Sequence, residues 1–63
     1  MTAITEIAFT TLRSNDARLN GEITREALAT IIKKIDTTLT TLGYTWDDVD
    51  AEIQRIINTG GHQ

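Results

Sequence analysis

The chain has no cysteine, no proline and only one residue each of tryptophan, tyrosine, phenylalanine and histidine among its 63 residues. Without cysteine it has neither disulfides nor thiolate metal sites. The single histidine, His62, stands in the terminal stretch TGGHQ with no second ligand near it in sequence, so no metal centre is expected there. No apolar run approaches the roughly eighteen residues that a membrane span needs, and the opening MTAITEIAFTTLR lacks the basic region of a secretory leader. The expected location is therefore cytoplasmic, that of a bacterial host if the chain is phage-encoded, with no membrane partner. A basic excess is missing too. Six Lys and Arg stand against nine Asp and Glu, a net charge of −3, which supplies no long-range attraction to nucleic acid or anionic lipid.

A chain this short buries only about 60% of the surface its unfolded form exposes. Domains of this size usually gain stability from disulfides, a structural metal or oligomerisation. The first two are disfavoured here, so self-association as a homodimer or higher oligomer is the expected route.

With proline absent, glycine and the capping residues punctuate the chain. Gly21, Gly43, Gly60 and Gly61 fall where helices would end. Between Gly21 and Gly43, Thr24 is a good N-cap, and Ile23 with Leu28 has the spacing of a hydrophobic staple across the helix start. Leu28, Ile32, Ile35, Leu39 and Leu42 then step by four and three along one seam, widened by Ile31. After Gly43 the same grammar returns: Thr45 caps, Asp48 completes a capping box, and Tyr44 with Val49 forms a second staple. Trp46, Val49, Ile53, Ile56 and Ile57 share the apolar face that follows, which places Trp46 in the core.

The first segment is capped by Thr2 or Thr5 and ends near Ser14 or continues to Leu19. At about 100° per residue, Ile4, Ile7, Ala8, Thr11 and Leu12 fall on one side, with Phe9 beyond them. An arc this wide exceeds the stripe a helix needs for one neighbour. It predicts that the first helix touches two neighbours, the second supplied either by this chain or by another copy.

Threonine is the one strong bias, twelve in all and four within DTTLTTLG. Its β-branch favours strands, but the four-and-three spacing favours helix. On the second helix Thr30, Thr37 and Thr41 line the side opposite the seam, with Lys33 and Lys34. This is either a solvated face or, together with Phe9, a contact between subunits.

The acidic stretch LGYTWDDVDAEI imitates the outline of a helix-turn-helix. However, a recognition helix must attract phosphate with its first residues, and this one opens with Asp47 and Asp48, followed by Asp50 and Glu52. DNA is disfavoured as a partner. A calcium loop would need glycine at its sixth position and glutamate at its twelfth; counted from Asp48 these are Ile53 and Thr59. For catalysis, Asp48 and Glu52 are one helical turn apart, but Arg55 beside Glu52 suggests a salt-bridged outer face instead. The hydroxyls have no base better than His62, and there is no glycine-rich phosphate loop. The acids near the helix start favourably meet the positive end of its dipole. They also form a candidate partner surface: Asp47, Asp48, Glu52 and Arg55.

These features predict an all-α fold, a helical hairpin plus a third helix over 2–14 or 2–19, 24–42 and 46–58, with a flexible tail at 59–63, completed by homo-oligomerisation. The expected role is non-enzymatic, without metal or cofactor. It is that of a small regulatory protein acting by protein–protein binding, of the type a phage or bacterium encodes to inhibit a larger protein. Two alternatives compete with it: an oligomer that sequesters a nucleotide-like ligand between subunits, and an RNA-binding dimer of helical hairpins. The candidate oligomer interface comprises Phe9, Thr30, Thr37 and Thr41.

Overall fold

A computed structural model of the chain describes residues 2–60, which form α1 (Ala3–Leu19), α2 (Arg25–Leu42) and α3 (Trp46–Gly60), with no strand among the described residues. The expected flexible tail divides. Thr59 and Gly60 continue α3, whereas 61–63, including His62, lie outside the described residues.

Local chemistry sets the boundaries. The Thr2 hydroxyl accepts from the Thr5 N–H at 3.3 Å to open α1, and the Thr24 hydroxyl accepts from the Ala27 N–H at 3.1 Å to open α2. The first helix takes the longer of its two expected ranges. It stops where Gly21, at φ 74°, turns left-handed: its N–H donates to the Arg18 carbonyl at 3.2 Å, and the Glu22 N–H to the Ala17 carbonyl at 2.8 Å. The same pair of bonds closes α2 around Gly43 at φ 82°, from the Gly43 N–H to Thr40 at 3.2 Å and from the Tyr44 N–H to Leu39 at 2.9 Å. Glycine adopts this backbone without the steric penalty of a Cβ, and the two bonds use carbonyls the helix end leaves free.

The helices do not pack equally. α1 lies along both others, most closely along α3, while α2 and α3 meet least. The wide apolar arc of α1 is thus used within one chain: its two neighbours are α2 and α3, so the arc no longer requires another copy. Ala8, with no exposed surface, marks how closely the helices approach there. Ile7, Ile35, Leu39 and Val49 form the buried cluster, and Ile4, Ile31, Trp46 and Ile53 pack against it. Trp46 is therefore at the edge of the core, half-buried.

Only part of the second helix's seam is covered. Ile35 and Leu39 are buried, but Ile32 and Leu42 remain 41% and 49% exposed. The molecule measures 33 × 30 × 18 Å with a radius of gyration of 12.2 Å, against about 10.6 Å for a compact domain of this length. It is a flat arrangement on a small core.

Leu39→Ala, which empties a central site, is expected to cost about 2–5 kcal/mol in urea unfolding. Leu19→Ala, at a highly exposed helix end, should stay within about 0.5 kcal/mol of wild type. Equal losses for the two would contradict this distribution of packing.

Candidate functional site

The third helix opens with the reciprocal cap that its sequence suggests. The Thr45 N–H donates to Asp48 Oδ2 at 2.8 Å and the Asp48 N–H donates to Thr45 Oγ1 at 3.3 Å, while the Thr45 hydroxyl also donates to Oδ2 at 3.2 Å. One oxygen of Asp48 is thereby committed to the helix end. Just beyond, the Trp46 indole Nε1–H donates to Asp36 Oδ1 on α2 at 3.0 Å. This bond ties α2 to α3 beside their connecting turn and gives the partly covered indole a polar partner.

Glu52 differs most from expectation. It does not belong to an exposed acidic face: its side chain is only 12% exposed and turns toward α1. Its Oε2 accepts from the Thr5 hydroxyl at 2.6 Å and from Arg55 Nη2 at 2.7 Å, and Oε1 accepts from Arg55 Nε at 2.8 Å. The two-pronged bond from Arg55, then the bond from Thr5, hold the Glu52 carboxyl down from an ordinary 4.5 to about 2, against a smaller opposing effect of desolvation. The two-pronged bond to Glu52, then the carboxylate charge, raises Arg55. Glu52 therefore joins the two helices that pack most closely, and Arg55 is spent on holding it. Thr5, which the sequence suggested only as a possible cap, is the part of this site that sequence reasoning missed.

Of the expected partner surface, Asp47, Asp48 and Arg55 are exposed, one oxygen of Asp48 being held in the cap and two nitrogens of Arg55 by Glu52, with Asp50 exposed nearby. Asp48, Asp50 and Glu52 do not converge. Among the described residues no group of three potential ligands lies close enough to hold a metal ion.

The expected oligomer surface is also divided. Phe9 is half-buried and borders a shallow groove on α1 with Glu6, Thr10 and Arg13. The threonines belong to a separate outer face of α2, where Thr30, Lys33, Lys34, Thr37 and Thr38 line a second groove and Thr41 follows. The two grooves share no residue. On α2 the hydroxyls of Thr30, Thr37, Thr38, Thr40 and Thr41 each donate to the carbonyl four residues earlier, at 3.0–3.1 Å. Their only O–H donors are thus used within the helix, which leaves the two lysines as the free donors of that groove.

No protein-family model, curated protein or solved structure matches this chain.

Because the folded-state value of Glu52 lies below its unfolded one, the stabilisation it supplies is fully present above about pH 4.5 and is lost as pH falls toward 2. Glu52→Gln should lower the urea midpoint at pH 7, and the gap from wild type should narrow as the pH is lowered through that window. A gap that is constant from pH 7 to 2.5 would mean that the carboxylate charge contributes nothing here.

Proposed function

We propose that this chain is a small non-enzymatic interaction protein that acts by protein–protein binding in a self-associated state, its concrete form being an inhibitor that covers part of a larger protein. The observation that carries this reading is the imbalance between core and surface. Among the described residues the buried apolar set is Ile7, Ala8, Ile35, Leu39 and Val49, while Leu19, Ile32, Leu42, Tyr44 and Ile57 are each more than a third exposed. Scattered exposed apolar residues are ordinary. Here five large apolar side chains are exposed against four buried, Ala8 being small, and a domain with so small a core commonly gains stability by association.

The surface offered to a larger partner is centred on Asp47 and the free oxygen of Asp48, with Arg55 exposed two turns further on. A basic groove on a partner would meet these acids, and the capping bonds fix the position of Asp48. Such rim charges act mainly on the association rate and its salt dependence.

A second reading rests on the outer groove of α2, where Lys33 and Lys34 stand among outward threonine side chains. There an oligomer would sequester an anionic small ligand. Heating the protein with a panel of nucleotides separates the two readings, because a ligand at 100 times its Kd adds about 2.7 kcal/mol of stability. The interaction reading expects no shift with any nucleotide.

Light scattering at micromolar concentration should give at least twice the 7.0 kDa chain mass, with a melting midpoint that rises with concentration. Asp47→Asn combined with Asp48→Asn should slow capture by an affinity-purified protein partner while leaving most of the fold's stability intact. A monomer that melts independently of concentration would overturn the self-associated part of this reading. Partner capture unchanged by the double substitution would overturn the acidic docking surface.

A further inference from the structure

The exposed isoleucines of α2 and α3 are not scattered. The bond from Trp46 to Asp36 marks the flanks on which these helices face each other. Ile32 lies one turn from Asp36 on the same flank of α2, and Ile57, eleven residues beyond Trp46, returns to within about 20° of it on α3. At 1.5 Å per residue, counted from the helix ends that flank the turn, Leu42 and Trp46, Ile32 lies about 15 Å along α2 and Ile57 about 16.5 Å along α3. Side chains at equal height on facing flanks would bury one another if the helices stayed together. Instead α2 and α3 are the pair that meets least, and Ile32 and Ile57 stay 41% and 51% exposed.

The charges along these two flanks are arranged by height. Near the turn stand Asp36 and, about 6 Å along α3, Asp50. At the far end, about 26 Å from the turn on the same flank of α2, stands Arg25. Arg25 and Asp50 are exposed, and the one ion pair among the described residues is that of Glu52 with Arg55.

We propose that the exposed flanks of α2 and α3 that carry Ile32 and Ile57 are the interface with a second copy of this chain, packed antiparallel about a two-fold axis at the level of those two residues. That axis brings the isoleucines of the two copies together and sets each Arg25 at the height of Asp50 of the partner subunit, twice per dimer. A two-fold interface must be self-complementary. An apolar middle with opposite charge at equal distances on either side meets that condition. The outer face of α2 does not, because Lys33 and Lys34 lie at the middle of the helix and would meet their own copies. This assignment rests on the self-associated state proposed above and gives it a location.

The test is sedimentation equilibrium of the full chain with helicity followed by circular dichroism. Ile32→Asp and Ile57→Asp, both at exposed positions, should remain helical and raise the dimer dissociation constant roughly a hundredfold. Arg25→Asp and Asp50→Arg should each raise it roughly tenfold at low salt, and the two together should restore it to near wild type. A dimer indifferent to both isoleucine substitutions, or single charge reversals that the double variant does not rescue, would overturn this interface while leaving self-association standing. A wild-type chain that stays monomeric at 100 times the micromolar range would overturn both. Should Ile57→Asp lose its helicity, Ile57→Ser, read by the same two measurements, replaces it.

Discussion

The whole arrangement depends on α1 serving two neighbours at once. The buried cluster takes Ile7 from α1, Ile35 and Leu39 from α2 and Val49 from α3, and α1 is the helix that packs along both others. Ala8 allows the close approach, Ile4 and Ile7 fill the space around it, and Thr5 reaches sideways to Glu52. Because α1 supplies contact to both partners, α2 and α3 need little from each other. They are joined by the turn at Gly43 and by the indole bond, and they meet little otherwise.

What the sequence made legible is what neighbouring residues decide among themselves. Thr24, Gly43, and Thr45 with Asp48 announce helix ends because each bond spans only a few positions, and all of them form. The end of α1 was harder to place, since Asn15, Asp16 and Arg18 interrupt the apolar pattern while the helix continues on backbone bonds to the Gly21 turn. The three-helix, all-α character followed from periodicity. How the helices divide the apolar surface did not, because spacing reports which side of a helix is apolar and not how much of that side a neighbour covers. Ile32 and Ile35 look equivalent along the seam; one is exposed and the other buried.

Glu52 shows the same limit for polar groups. Read with its sequence neighbours Asp48, Asp50 and Arg55, it belongs to a charged outer face. Its one partner on another helix, Thr5, is 47 residues away, and no local pattern points to it. The threonine stripe was misleading in another way: a row of hydroxyls reads as hydrogen-bonding capacity, yet on a helix each can donate to the turn before it. The donors that the face keeps are then the two lysine ammonium groups, while the hydroxyl oxygens can still accept.

The indole at the junction of α2 and α3 has a further value. It is the chain's single tryptophan, half-covered by the core and bonded to a carboxylate on the opposite helix, so the emission of the whole protein comes chiefly from the one place where α2 and α3 are joined. Its wavelength and quenching follow the covering of that ring and the nearness of Asp36. The protein thus carries its own optical gauge of how far apart those two helices stand, and it can be read in the unlabelled, unaltered chain.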